Sequence, residues 1–201
     1  MSLVEIVGFL TGLVSVWLTV RENIWTWPIG IINSGAWAWL FFGAKLYTDA
    51  GLQFVYIALA ILGWFWWLHG GEQRRELPVA RTSSRMAVVL TTSIVLGTLL
   101  LTAFNVFATD TDVPFWDAFP TVLSIAAQFM LARKLFENWF LWITVDVIYI
   151  GLYVSKGLYL TASLQVVFIV LCVAGIREWF RSMADEAREE PPFQETEVIR
   201  A

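Results

Sequence analysis

Charged and reactive side chains are scarce in this chain of 201 residues. Charged residues make up 15% of it, and there is one histidine, His69, and one cysteine, Cys172. One histidine cannot form a histidine cluster for a metal, and one cysteine cannot form an internal disulfide. No phosphate-binding loop or Ser-His-Asp set is visible. We therefore predict that the protein is not an enzyme, holds no metal or cofactor, and has no nucleic-acid partner.

Apolar residues dominate instead. Hydrophobic residues make up 58% of the chain and the mean hydropathy is +0.67, values typical of an all-α membrane protein with several spans. No basic stretch precedes the first apolar segment, so we expect no cleavable signal peptide. The predicted spans are 3–20, 26–44, 50–68, 86–108, 115–132, 139–155 and 158–178.

The charges between these spans predict an orientation. Four arginines lie between the third and fourth spans, and basic residues follow the fifth and seventh. On the other side, Asp110, Asp112 and Asp117 lie in the loop after the fourth span or at the start of the fifth, without a basic residue. The positive-inside rule therefore places the N-terminus outside and the C-terminus in the cytoplasm. The glutamate-rich segment 182–201 is predicted to be a disordered, acidic cytoplasmic tail.

Part of the segment 22–67 recurs later in the chain. The matches that share one constant offset are Leu46-Tyr47 with Leu158-Tyr159, Gln53 with Gln165, Gly63 with Gly175, and Trp67 with Trp179. Matching Glu22-Asn23 with Glu137-Asn138, and Trp27 with Trp142, requires a gap of three. An ordered series of this kind indicates duplication. We predict parallel three-helix repeats at 3–68 and 115–180, with a spacer helix at 86–108 that gives both the same orientation.

The two repeated stretches resemble the PnuC family of bacterial vitamin transporters, whose best known members carry nicotinamide riboside. The resemblance covers about residues 3–180 and rests on NIWTWPIGIINSGAW, LYTDAGLQFVYIALAILGWFWW and ENWFLWITVDVIYIGLYVSKGLYLTASLQ. Its most specific element is the WxxW of Trp139 and Trp142, followed by DxxY. The resemblance implies a 3+1+3 helix fold like that of the SWEET sugar transporters, a homotrimer, and facilitated diffusion with trapping by cytoplasmic phosphorylation. Relatives carry riboflavin or thiamine, so the family leaves the cargo open.

Asp146 is the strongest candidate for a functional residue. It is the only charge inside its apolar segment, and helical spacing places it on one face with Trp139, Trp142, Tyr149 and Tyr153. A carboxylate in mid-membrane is costly unless it meets a partner, a water-filled cavity or a ligand. We predict that it binds substrate. The alternative is a structural carboxylate, bonded to Asn33 or Tyr149.

Other polar and aromatic residues within the spans complete the predicted site. The substrate-binding candidates are Asn33, Trp37, Gln53, Tyr56, Gln128, Trp142, Asp146, Tyr149 and Gln165, and the gate candidates are Trp27 and Trp139. The amide side chains could instead join helices, and Trp64, Trp66, Trp67 and Trp179 are predicted to lie in the aromatic belt at the membrane interface. An aromatic wall beside a carboxylate suits a flat cation such as a pyridinium, and would also accept a thiazolium or an isoalloxazine.

The leading hypothesis is a carrier in the bacterial inner membrane that imports nicotinamide riboside by alternating access without ion coupling. Its expected partners are the vitamin, the lipid bilayer and further copies of the chain. One alternative is a carrier of riboflavin or thiamine. Another is a binding subunit of an ATP-driven importer, or a membrane receptor. An ion-selective channel is disfavoured, because the chain lacks the charged ring or carbonyl filter of such pores.

Overall fold

Seven α-helices account for most of the residues that the structure describes. The computed structural model describes residues 3–45, 47–71, 76–109 and 111–189. The helices are α1 (Leu3–Val20), α2 (Thr26–Gly43), α3 (Tyr47–His69), α4 (Ser84–Ala108), α5 (Pro114–Ala132), α6 (Asn138–Ser155) and α7 (Tyr159–Glu189). Within the described ranges the only β-pairing is an isolated bridge between Ala80 and Leu135. The predicted all-α fold class is confirmed, and the helix bounds agree closely with the predicted spans except at the end of α7.

The helices differ in how well they suit a bilayer. Helices α3 to α7 are long and apolar enough to cross one, and α1 offers a shorter apolar stretch, Ile6–Val20. Helix α2 falls outside both groups because Pro28, Asn33 and Ser34 interrupt its apolar residues. Polar groups are costly in contact with lipid, so these positions of α2 are expected to face protein or a cavity.

Helices α1 and α5 end in the same way. In each, the N–H of a left-handed residue bonds back three positions (3.0 and 2.9 Å) and the next N–H bonds back five (2.9 Å in both). These bonds form the Schellman motif, which stops a helix by satisfying its last carbonyls. The left-handed residues are Glu22 (φ 52°) and Lys134 (φ 49°). At the end of α6 the left-handed residue is Gly157.

Structural landmarks recur along the chain at one constant offset, without a gap. Helix α2 begins at Thr26 and α6 at Asn138, and the same offset separates the start of α3 at Tyr47 from that of α7 at Tyr159. Positions separated by this offset are called matched positions below. The gap of three inferred from the sequence is therefore wrong, because Trp27 is matched by Trp139 and not by Trp142. The sequence match was ambiguous because WxxW places two tryptophans, Trp139 and Trp142, one turn apart.

The helices pack as two groups. Helix α2 packs on α1 and α3, and α6 packs on α5 and α7. The groups meet where α3 packs on α5 and where α7 packs on α1, so the third helix of each contacts the first helix of the other. Units related by a twofold axis make this reciprocal contact. Helix α4 packs chiefly on α5.

The connection between α3 and α4 is tied to the loop before α6. Ala80 exchanges two backbone hydrogen bonds with that loop, at 3.1 Å to the Lys134 carbonyl and 2.9 Å from the Phe136 N–H. Thr82 donates its N–H and its hydroxyl to the Glu137 carboxylate at 2.8 and 2.6 Å. Burial raises the pKa of Glu137, but the Thr82 bonds and the nearby Arg81 outweigh it, so the net pKa lies below the usual value.

The last helix is longer than predicted. Helix α7 runs to Glu189, so the predicted disordered tail, 182–201, begins too early. Ion pairs one turn apart, Arg181 with Glu178 (3.7 Å) and Arg188 with Asp185 (3.6 Å), favour the helical conformation there. The rest of the predicted tail, 190–201, lies outside the described residues.

Candidate functional site

A cavity of about 280 Å³ lies between the two groups of helices, and α1–α3 and α5–α7 supply its lining. The predicted site residues that line it are Trp27, Asn33, Tyr56, Gln128, Trp139, Trp142, Asp146, Tyr149 and Gln165. The pattern on α6 follows from its helical spacing, which brings Trp139, Trp142, Asp146 and Tyr149 to one face. The structure thus brings together the polar and aromatic side chains that the sequence scatters over five helices.

Asp146 faces this cavity from the middle of α6. The residue is 6% exposed, yet none of the described residues donates a hydrogen bond to its carboxylate or forms an ion pair with it. The alternative structural role, a bond to Asn33 or Tyr149, is therefore not what the structure shows. A carboxylate is an acceptor with about four lone-pair sites, and here they are available to a ligand.

The amide groups of the cavity fall into two kinds. Asn33 donates to the carbonyl oxygen of Gly8 and to the Thr11 hydroxyl (3.1 Å), so its N–H groups tie α2 to α1. Gln128 and Gln165 receive or donate no side-chain hydrogen bond among the residues described. Each of these two amides can therefore offer both a donor and an acceptor to a ligand.

Tyr56 on α3 is bonded to the other group of helices. Tyr56 shares a hydrogen bond with the Ser124 hydroxyl, which joins α3 to α5 in the wall of the cavity. Neither Ser124 nor Ser34 was among the predicted site residues, yet both line the cavity, and Ser34 does so at the position matched to Asp146. The ungapped offset between the repeats was the signal that could have found Ser34.

Two predicted residues do not line the cavity. The Trp37 ring packs over Gly8 of α1, where an added Cβ would lie 3.0 Å from it, and it stacks on Phe41 at 5.6 Å. The absence of a side chain at Gly8 leaves the space that this ring fills. Gln53 lies one turn before Tyr56 on α3, outside the lining. Trp37 and Gln53 therefore do not line the cavity in this structure, and their part in substrate binding stays a prediction.

Four tryptophans form a layer at one end of the cavity, which we call the tryptophan layer: Trp27, Trp67, Trp139 and Trp179. Trp27 meets Trp67 edge to face at 5.2 Å, Trp139 meets Trp179 in the same way at 5.2 Å, and Trp67 lies 6.2 Å from Trp179. All four are at most 3% exposed. The layer is thus one continuous aromatic cluster shared equally by the two groups of helices.

Two glycines make room for the layer. A Cβ added to Gly63 would lie 2.3 Å from the Trp27 ring, and one added to Gly175 would lie 2.4 Å from the Trp139 ring. Only a glycine allows such a close approach of ring to helix. The GxxxW pattern that ends the third span, and its match in α7, therefore encodes the seat of the tryptophan on the preceding helix of the same group.

The other two tryptophans of the layer cross between the groups. The Trp67 indole donates to the Leu131 carbonyl at 3.2 Å, and the Trp179 indole donates to the Thr19 carbonyl at 3.1 Å. Their predicted place in the membrane-interface belt is wrong, because tertiary packing buries both. Trp27 and Trp139 line the cavity, whereas Trp67 lines a recess of about 390 Å³ on the far side of the layer. The layer therefore separates the cavity from this recess.

A bundle of apolar helices around a cavity with an unpaired carboxylate and a closed aromatic end defines a class: membrane proteins that take up a small polar solute. The particular family follows from comparison. The profile of the family described as Nicotinamide mononucleotide transporter matches residues 2–181, and the chain belongs to this family. It is a multi-pass membrane transporter and not an enzyme, as predicted, and the resemblance to PnuC is confirmed.

Individual relatives agree with this assignment. The nicotinamide riboside transporter PnuC of Escherichia coli strain K12 is 29% identical over 208 residues, covering 90% of this chain and 87% of that protein. The riboflavin/roseoflavin transporter RibM of Streptomyces davaonensis is 30% identical over 188 residues, covering 90% and 86%. The crystal structure of the vitamin B3 transporter PnuC is similar with a TM-score of 0.71, at 21% identity over 89% of this chain and 81% of that one.

Proposed function

We propose that this protein carries nicotinamide riboside across the membrane by facilitated diffusion. The observation that carries the proposal is the Asp146 carboxylate, which faces the cavity without a partner among the described residues. Nicotinamide riboside presents a flat pyridinium cation, which a carboxylate attracts. Attraction between the cation and the face of an aromatic ring such as Trp142 adds about 0.5–2 kcal/mol.

The neutral polar groups suit the rest of that cargo. Gln128 and Gln165 offer free amides. The N–H groups of Asn33 are bonded to α1, which leaves its side-chain carbonyl oxygen as an acceptor for a ligand. A ribose with hydroxyl groups and a carboxamide needs donors and acceptors of this kind. The relatives named as nicotinamide riboside transporters support this choice.

Riboflavin is the second candidate cargo. The similarity to RibM at 30% identity favours it, and the aromatic lining would accept an isoalloxazine ring. That ring carries no positive charge, so Asp146 would have no charged partner and would remain costly in the membrane. For this reason we rank the pyridinium cation first.

Transport by alternating access fits the division into two groups of helices. We infer two parallel three-helix units, α1–α3 and α5–α7, with α4 as the spacer, which the recurrence of helix starts at matched positions and the reciprocal packing support. The tryptophan layer would be the closed gate of one state. Titratable groups are few within the spans, so uptake should respond neither to sodium nor to a proton gradient. Cytoplasmic phosphorylation of the vitamin would then trap it and supply NAD biosynthesis.

The remaining features of the proposal concern the assembly in the membrane. We infer a homotrimer in the bacterial inner membrane, with the N-terminus outside and the C-terminus in the cytoplasm. The basic residues that follow α5 and α7 support this orientation, since such residues favour the cytoplasmic side. On this assignment the tryptophan layer lies toward the cytoplasm.

Uptake by the purified protein in liposomes tests the proposal. Labelled nicotinamide riboside should enter saturably and stop at the outside concentration, with protein-free liposomes as the control. Unlabelled nicotinamide riboside should compete better than riboflavin or thiamine. Stronger competition by riboflavin would reverse the ranking of cargoes. Folded protein that shows no uptake of any of the three would instead favour the binding subunit of an ATP-driven importer.

A further inference from the structure

An ion pair joins the two groups of helices beside the tryptophan layer. The Lys134 ammonium lies 2.8 Å from the Glu22 carboxylate, and the two side chains are only 7% and 20% exposed. The two residues occupy matched positions at the ends of α1 and α5. Both side chains line the recess on the far side of the layer, together with Arg21 and Glu76. The pair therefore bridges the groups where they meet at the recess.

Like Lys45 at the end of α2, Glu22 and Lys134 adopt the left-handed backbone conformation although neither is glycine. Each is the left-handed residue of a Schellman motif, a position that glycine fills without steric conflict. Gly157 fills it at the end of α6. A side chain in this conformation costs about 1–2 kcal/mol. Glutamate and lysine accept that cost at both matched positions, and their side chains meet.

The same two turns hold the tryptophan layer. The Thr19 carbonyl accepts from the Glu22 N–H (3.0 Å) and from the Trp179 indole (3.1 Å). In the matched turn, the Leu131 carbonyl accepts from the Lys134 N–H (2.9 Å) and from the Trp67 indole (3.2 Å). The ion pair and the layer therefore rest on the same two helix ends.

A cation–π contact couples the pair directly to the layer. The Lys134 ammonium lies 4.7 Å from the centre of the Trp67 ring. Moving the helix ends apart would break the ion pair, this contact and both indole hydrogen bonds together. Since Trp67 and Trp27 are in edge-to-face contact, the change would reach the side of the layer that faces the cavity.

We propose that Glu22 and Lys134 form a latch that holds the tryptophan layer closed, and that the cavity opens at this end only when the pair separates. An ion pair suits a reversible contact, because desolvation offsets much of its attraction and both charges regain water when they part. The proposal rests on the transport function inferred above but not on the identity of the cargo.

Cys172 provides the reporter for a test. It is the only cysteine of the chain, is 3% exposed, and lines the cavity. A charged, membrane-impermeant thiol reagent therefore labels it only by entering the cavity. Vesicles of both orientations allow the reagent to be added from either side of the membrane, without any vitamin present.

The variant that tests the latch carries Glu22→Gln and Lys134→Gln together. It removes both charges, so no unpaired buried charge threatens the fold. Labelling of Cys172 from the side of residues 22 and 134 should rise about tenfold, with no rise from the opposite side; tenfold corresponds to about 1.4 kcal/mol. The reversed pair, Glu22→Lys with Lys134→Glu, should return labelling toward the wild-type rate.

The control is an exposed ion pair elsewhere in the chain, Arg181 with Glu178, whose side chains are 76% and 45% exposed. Replacing both by glutamine should leave the labelling rate unchanged. An unchanged rate in the Glu22 and Lys134 variant would overturn the latch, and so would an equal rise from both sides, which would indicate general loosening. A lower melting temperature without a change in labelling would also overturn it and make the pair a structural contact. Failure of vitamin uptake alone would leave this result standing and would bear only on the proposed cargo.

Discussion

The tryptophan layer and the deeper part of the cavity differ in how similar their matched positions are. In the tryptophan layer the matched positions carry identical residues: Trp27 with Trp139, Trp67 with Trp179, and Gly63 with Gly175. Deeper in the cavity they differ, since Ser34 is matched by Asp146, Tyr56 by Phe168, Gly12 by Ser124 and Val16 by Gln128. Each of these residues lines the cavity.

The difference follows from what each region has to contact. The layer brings two similar groups of helices against each other, so the same residues serve from both sides. A vitamin has different chemical groups at its two ends, so a binding region gains from unlike walls. On the proposed function, the second group holds the cation through Asp146, and the first group supplies Asn33 and Tyr56.

The largest effect is expected at the most unequal matched pair, Ser34 and Asp146. Replacing Asp146 by Asn keeps the shape but removes the charge, and a hydrogen bond to a charged group contributes about 1.5–3 kcal/mol. Affinity for nicotinamide riboside, measured by calorimetry, should fall roughly ten- to a hundredfold. Ser34→Ala should change it far less.

Expression and melting temperature serve as the control for Asp146→Asn, and both should stay near wild type. A variant that fails to insert or fold would give Asp146 a structural role. Equal losses of affinity at Ser34 and Asp146 would remove the contrast between the two halves.

The next largest effect tests whether the two halves of the tryptophan layer contribute equally to stability. Gly63→Ala and Gly175→Ala each force a methyl group against a tryptophan ring, at 2.3 and 2.4 Å. Overpacking of this kind costs about 1–3 kcal/mol. Both variants should lower the melting temperature by similar amounts, because the seats are matched.

Helical glycines with open space give the control for these two variants. Gly35→Ala and Gly151→Ala meet nothing within 4 Å and should not destabilise the protein. A large loss at Gly175 with none at Gly63 would show that the two sides of the layer are not equivalent.

A smaller effect separates the two matched glutamines. Gln165 lines the cavity with a free amide and Gln53 does not, although they occupy matched positions. Gln165→Ala should weaken vitamin binding by the loss of one neutral hydrogen bond, roughly 0.5–1.5 kcal/mol or about two- to twelvefold in the dissociation constant. Gln53→Ala is its control and should leave binding unchanged. A greater loss at Gln53 would mean that the cavity extends further along α3 in another state.

Much of the fold was predictable because it depends mainly on apolar length. Most helices followed from long apolar runs, since a helix is the way such a run satisfies its backbone in lipid, whereas α2 was predicted although Pro28, Asn33 and Ser34 interrupt its apolar residues. It was harder to predict which side chains of each helix face the cavity. Trp37 and Asn33 lie one turn apart on α2, yet a glycine on α1 draws the Trp37 ring away from the cavity.

The site was predictable where polarity itself was the signal, as at Asp146, Gln128 and Gln165. It was not predictable where burial depends on a distant partner. Tryptophan near the end of a span is typical of the membrane interface. Only the hydrogen bonds of Trp67 and Trp179 to carbonyls of the other group reveal the layer. Lys134 looked like a loop charge for the same reason, because its partner Glu22 is distant in sequence.

The smallest effect concerns a contact just before α6 that the matched position before α2 does not make. Glu137 fastens the connection before α4 through Thr82, whereas its matched residue, Trp25, is 62% exposed. The pKa of Glu137 is lowered on folding, so the unfolded chain takes up the proton first as the pH falls. The stabilisation is therefore complete above the unfolded pKa of about 4.5 and is lost as the pH falls through the lower, folded value. Solvent screens this partly exposed group, which keeps the effect small.

The melting temperature of the wild type should exceed that of Glu137→Gln at neutral pH, and the two curves should converge below about pH 4.5. Thr82→Val, which removes the hydroxyl donor and keeps the N–H, should fall between them. A difference that persists undiminished to about pH 3 would show that Glu137 acts through packing and not through its charge.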